Sequence, residues 1–260
     1  MKDLQILLEI YTVHPCRTLP NAFWKTAARW ASSNLMVTWD SVGQPSSLVL
    51  WEGQRLLAFW CADAENQPLT TDEIAEVPFA LVHTDALPVF AGRDFSFRQP
   101  YFRLIHEGGL KAHPCPEGFA FECVDPEMDI YAVADLIRAC YPSMRVNAEI
   151  VQSWLNHPVY DMDLWLWVID LETHIKAALG IAERDSRVPE ASLEWIQVHP
   201  TYQKKGLGKA LVHELTWRAS DGVKFVTVAG EVENRYQPEK LYRHCGFTGS
   251  DIWWFLSDHP

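Results

Sequence analysis

The chain has no Cys-x-x-Cys. Its six cysteines, Cys16, Cys61, Cys115, Cys123, Cys140 and Cys245, show no paired close spacing, so they read as reduced thiols in a cytoplasmic protein rather than a disulfide framework. His113, Cys115 and Cys123 match no standard zinc spacing, and no metal is expected. No uninterrupted apolar run approaches membrane-spanning length, which excludes a helical membrane protein. The apolar start, Met1 to Glu9, is broken by Asp3 and Glu9 and makes a poor signal peptide. Basic residues are scarce: 22 Lys and Arg stand against 34 Asp and Glu, a net charge of −12. That balance argues against non-specific nucleic-acid binding and is compatible with a cationic substrate. Neither Gly-x-Ser-x-Gly nor His-Glu-x-x-His occurs, which removes two hydrolase readings.

What is present is an ordinary globular composition, 48% hydrophobic and 22% charged over 260 residues, a length that favours two domains. Twelve tryptophans offer flat apolar walls for a core or a ligand. In the first half, Pro20 to Ala31 reads as a helix with Phe23, Ala27 and Trp30 on one face. Leu48 to Trp51 and Leu56 to Trp60 flank a turn at Gly53 and read as a hairpin. A short helix is expected after Thr70-Thr71-Asp72, then strands over Phe79 to His83 and Tyr101 to His106. The segment from Glu107 to Gly118, with two prolines and three glycines, reads as a connector. The domains are accordingly placed at 1–115, a mixed α/β unit, and 116–260.

The second half has a sharper pattern. Strands are expected at Phe119 to Val124, Leu164 to Leu171, Ile175 to Glu183, Leu193 to Val198, Val223 to Ala229 and Ile252 to Leu256. Helices are expected at Met128 to Cys140, Asn147 to Leu155, from Leu207 onward and from Pro238 to a left-handed stop at Gly246. The order is β, α, α, β, β, β, α, β, α, β. Its centre is the stretch Glu194 to Lys209. Here a strand ends at His199-Pro200 and a helix begins in Gly206-Leu207-Gly208. Glycines at a helix start admit unusual dihedrals, while the first helical N–H groups point outward and the helix dipole favours an anion. A diphosphate is the natural occupant. A dinucleotide fingerprint fits poorly because Leu211 stands where the third glycine would be. A Walker loop fails because Ala210 follows Lys209 and the upstream glycine is missing.

This element order, with Gln203-Lys204-Lys205-Gly206-Leu207-Gly208, resembles the GNAT superfamily of acetyl-CoA-dependent N-acetyltransferases, whose signature is Gln/Arg-x-x-Gly-x-Gly/Ala between the fourth strand and the following helix. Asn234 and Pro238-Glu239-Lys240-Leu241-Tyr242-Arg243-His244-Cys245-Gly246-Phe247 resemble that family's second cofactor-side motif. The resemblance implies a mixed, mostly antiparallel sheet flanked by helices, with acetyl-CoA as co-substrate. It implies that Gln203, Lys204, Lys205, Gly206, Leu207, Gly208 and Lys209 hold the pyrophosphate and that Ile196, Gln197 and Val198 pair with the pantetheine arm, which Asn234 also bonds. The strand carrying Ile196 to Val198 would splay from its parallel neighbour to admit the thioester. Tyr242 would be the general acid that protonates the leaving thiolate.

Glu194 is the expected general base, acting directly or through a water on an amine acceptor, small molecule or peptide. Period 2 alone puts Glu194, Ile196 and Val198 on one face, which a bulge would alter. The competing reading of Tyr242 is a buried helix tyrosine, and that of Glu194 a strand-end charge with a structural partner. A non-catalytic acyl-CoA-binding or sensor module is the second functional reading. For residues 1–115 the expectation is a diverged copy of the same fold without its own cofactor. The alternative is a separate domain that shapes the acceptor site or a homodimer interface.

Overall fold

A computed structural model describes residues 2–20, 27–65, 67–109 and 111–259. The first helices are α1 (Lys2–Val13), α2 (Pro15–Thr18) and α3 (Ala27–Ser32). Strands β1 (Asn34–Trp39), β2 (Pro45–Glu52) and β3 (Arg55–Cys61) follow, then α4 (Thr71–Glu76), β4 (Phe79–His83) and β5 (Phe97–His106). Next come β6 (Phe119–Cys123), α5 (Ile130–Cys140), α6 (Ala148–Leu155), β7 (Trp165–Asp170), β8 (Lys176–Arg184) and β9 (Glu190–Val198). The chain closes with α7 (Leu207–Ala219), β10 (Phe225–Glu231), α8 (Pro238–His244) and β11 (Thr248–Ser257). Of the helix expected over Pro20 to Ala31, residues 21–26, Phe23 included, lie outside the described residues.

Two compact units divide the chain, and neither is one continuous stretch. Unit 1 is Met1–Ile105 with Ala229–Glu239 and Thr248–Pro260; unit 2 is His106–Val228 with Lys240–Phe247.

In unit 1 the strand order is β1-β2-β3-β4-β11-β5. Strands β1, β2 and β3 form an antiparallel meander. The β2–β3 turn is the expected one: Glu52 faces Arg55 across the ladder, and Gly53 between them takes φ 59, a value glycine adopts without steric cost. Helix α4 starts at Thr70, whose hydroxyl accepts from Glu73 N while the Glu73 carboxylate accepts from Thr70 N, a reciprocal cap. Strand β4 then runs parallel to β3. The last strand of the chain, β11, pairs antiparallel with both β4 and β5. Its Leu256 joins Val49, Phe59, Val82 and Phe90 in the core of this unit. Its Trp253, 2% exposed, donates Nε1–H to the Cys16 carbonyl at 2.7 Å.

In unit 2 the order is β10-β9-β8-β7-β6, antiparallel except for the parallel β9–β10 pair. One face carries Trp165, Trp167, Ile169, Leu179 and Ile181 against Val133, Ala134 and Ile137 of α5. The other face carries Gly180 against α7, where an added Cβ would stand 2.5 Å from Leu215 Cδ1 and 3.0 Å from Leu211 Cδ2. Glycine there lets helix and sheet approach closely. Asp129, just ahead of α5, ties the layers together: it accepts from Trp167 Nε1 at 2.7 Å and Asp125 N at 3.1 Å, and it pairs with Lys176. Burial alone would raise the Asp129 carboxyl, but these donors hold it below the usual value.

The two units repeat one pattern: three antiparallel strands, a helix, then a strand parallel to the third, in β1 to β4 and again in β7 to β10. All six cysteines are free thiols.

Candidate active site

Strand β9 carries an irregularity at its middle. Trp195 pairs with Ile181 and Leu193 with Ala182, so Glu194 is an extra residue opposed by none, a β-bulge. The parallel pairing with β10 runs from Glu190 to Leu193 and stops there. His199 N–H bonds the Ala177 carbonyl, so by alternation Gln197 and Trp195 turn their amides to β8 while Ile196 and Val198 turn theirs to the opposite edge. That edge can take an extended, amide-bearing ligand as an added strand. The bulge also settles the face question. Glu190 and Ser192 lie on the α5/α6 side, since Ser192 faces Glu183, two residues on from Ile181. Ser192 Oγ hydrogen-bonds the Glu194 carboxylate, and Thr227 Oγ1 bonds that of Glu190.

The turn after β9 leads into α7. Gly206, the residue before its first turn, is left-handed at φ 82, ψ −1, and no side chain caps the helix. Lys204 is also left-handed, φ 65. Gln203, Lys204, Lys205, Gly206 and Lys209 are exposed, and Leu207 is buried as the anchor of the first turn. A helix start that offers free N–H groups between exposed lysines is a site for an anion. Lys205 does not reach into it: its Nζ sits 4.9 Å from the Tyr202 ring centre and 5.7 Å from that of Phe119. At Gly208 a Cβ would meet Leu241 Cδ2 at 3.4 Å and Val198 Cγ2 at 3.6 Å, ordinary contacts, so packing does not require the glycine.

Tyr242 on α8 is 7% exposed, with its ring edge-on to Phe247 at 5.9 Å. Burial, then the proximity of Tyr141 and Glu194, pushes its phenol well above the usual value, so it stays protonated at neutral pH. The structure thus brings Tyr242 and Glu194 into one electrostatic neighbourhood. Tyr141, at the end of α5, stands edge-on to Trp195 at 6.4 Å, and Trp195 stacks on Trp154 of α6 at 5.6 Å and 21°. Cys245 is packing: burial lifts its thiol to about 11 against the opposing pull of Lys209.

Asn234 lies in unit 1, in a turn where its Oδ1 accepts from Tyr236 N at 2.9 Å. Ser192, the partner of Glu194, is absent from the sequence-based candidates. The signal, two polar residues at i and i+2 in an apolar strand, is present, but the bulge makes the face of Glu194 unreadable from period 2. In unit 1 the position equivalent to the α7 start is the start of α4, and there Thr70 Oγ1 accepts from Glu73 N and the Glu73 carboxylate from Thr70 N, while Asp72 and Glu73 supply negative charge. Among the described residues no group of three His, Cys, Asp or Glu could hold a metal ion.

Residues 163–249 match the acetyltransferase (GNAT) domain family. No curated protein sequence matches the chain. Among solved structures, a GNAT-family acetyltransferase of Colwellia psychrerythraea aligns with a TM-score of 0.61 at 14% identity, covering 98% of this chain and 96% of its own. A GCN5-related N-acetyltransferase of Sphaerobacter thermophilus gives 0.60 at 15% identity over 84% and 78%. A tandem GNAT protein from the clavulanic acid biosynthesis pathway gives 0.57 at 14% identity over 100% and 96%. The fold is therefore the GNAT fold, and the repeated pattern of the two units fits the tandem form. Residues 163–249 are thus an acetyltransferase domain of the GNAT family, carried on a chain whose fold is that of the GNAT proteins.

Proposed function

We propose that the chain transfers an acetyl group from acetyl-CoA to a primary amine by direct attack, on a domain comprising residues 116–260 whose last strand is housed in unit 1. The observation that carries this reading is the alignment, along one strand, of three features: the bulged Glu194, the outward amides of Ile196 and Val198, and the uncapped α7 start. The pyrophosphate of coenzyme A sits on the N–H groups of 206–209, with the exposed Gln203, Lys204 and Lys209 around it. The pantetheine arm adds to the edge at Ile196–Val198, which brings the thioester toward Glu194 and Tyr242.

The acceptor ammonium sheds two protons on its way to an amide: the first goes to solvent as the free amine forms, and the nitrogen must lose the second as it attacks. Glu194, oriented by Ser192, takes it directly or through a water. The amine nitrogen bonds the acetyl carbon, the C–S bond breaks, and Tyr242 gives its proton to the departing thiolate. The protein's acidic balance favours a cationic amine. The experiment is free-thiol release from acetyl-CoA across a panel of primary amines, coupled to detection of the N-acetyl product. Binding of acetyl-CoA with no turnover on any amine would instead leave an acyl-CoA-binding module.

A further inference from the structure

On the α5/α6 face of β9, two residues past Trp195, stands Gln197. It is 2% exposed, and neither its Nε2 nor its Oε1 has a hydrogen-bond partner among the described residues. A buried carboxamide with both ends unpaired is costly, and interiors keep such groups only where something else pairs with them. Its direction is fixed by its register partner Leu179, which lies in the core under α5. The end of α5 closes over the same place: Cys140 Sγ lies 3.5 Å from the Val198 carbonyl, and Tyr141 follows at once. Helix α7, whose start is the anion site, packs on the opposite face, against Gly180. Gln197 therefore lies on the face away from α7 and shares it with Trp195, whose ring meets those of Tyr141 and Trp154.

We infer that the Gln197 carboxamide reads the acceptor: it pairs, through one N–H and one carbonyl, with an amide group close to the reacting amine, as in an α-amino amide or the end of a peptide. The inference rests on the acetyl-transfer reading above. A site built to hydrogen-bond a polar group rejects an analogue lacking it, because the protein's own group is then left buried and unpaired. The rings beside it supply flat apolar walls for the rest of the acceptor.

The test compares α-amino amides with alkylamines of equal length, in the wild type and in Gln197→Met, with Gln197→Leu as a second replacement. The wild type is expected to favour the amides in kcat/KM by about tenfold or more, and each replacement to collapse that ratio toward one. Both replacements are also expected to raise the Tm of the ligand-free protein by about 2–4 °C, since an apolar side chain of similar volume carries no unpaired group. A ratio unchanged by the replacements, a wild-type preference for the alkylamines, or a fall in Tm overturns the inference while leaving acetyl transfer standing. Absence of turnover with every amine overturns both.

Discussion

In the proposed reaction Tyr242 and Glu194 carry the proton transfers, and each role can be separated from a structural one. Tyr242→Phe keeps the ring that packs edge-on to Phe247 and removes only the proton donor. It is expected to lower kcat by about a hundredfold with a smaller change in KM, measured by thiol release. Equal kcat for the two proteins would return Tyr242 to the role of a packed ring. The same variant reports on stability. The folded-state phenol titrates above its unfolded value of 10, so the folded state holds that proton more tightly. The resulting stabilisation is intact below about pH 10 and shrinks above it, where the unfolded chain ionises first. The Tm of the wild type should fall more steeply above pH 10 than that of Tyr242→Phe. Glu194→Gln keeps a hydrogen-bonding group beside Ser192 but cannot take a proton, and it should lower kcat/KM by about a hundredfold.

At the scale of elements, the α7 start and the α5 anchor make opposite demands. Gly206 has open space around its Cβ position but a left-handed backbone, so Gly206→Ala is strained by conformation rather than by contact, costing roughly 1–2 kcal/mol. Because the strain falls on the proposed pyrophosphate site, Kd for acetyl-CoA in titration calorimetry should weaken along with the Tm; a loss of Tm with unchanged Kd would move the pyrophosphate elsewhere. Asp129→Asn removes a carboxylate that Lys176, Trp167 and Asp125 all serve, and should cost about 1–3 kcal/mol in urea unfolding at pH 7. The Asp129 carboxyl is held below its unfolded value, so its contribution is present above about pH 4 and lost as pH falls further. The gap between wild type and variant should close in acid.

For the whole molecule, the proposed function together with the uncapped start of α7 and the self-capped start of α4 predicts a single acetyl-CoA per chain. Saturating calorimetry is expected to give one site, and a second site would assign a cofactor to unit 1. Acetyl-CoA at a hundred times its Kd should stabilise the fold by about 2.7 kcal/mol, seen as a higher Tm. No described helix is long and apolar enough to cross a membrane.

Local patterns were readable where the physics is local. The Gly53 hairpin, the Thr70 cap, the stop at Gly246 and the helix beginning at Leu207 all follow from residues adjacent in the chain. Helix α1 and strand β1 have no such local signal: the first is an apolar run interrupted by Asp3 and Glu9, and the second is a short, half-exposed edge strand whose pattern is weak. The amino-acid sequence by itself determined the order of elements in the second half and the helix start at Gly206-Leu207 that follows strand β9. The tertiary structure alone decided three things. The extra residue at Glu194 is visible only in the register against β8, because a bulge is a property of two strands. The place of β11 in unit 1, between β4 and β5, depends on partners more than 140 residues away in sequence. And the orphaned amide of Gln197 appears only once the strand is folded against α5, because a glutamine is costly when it is buried and unremarkable when it is not.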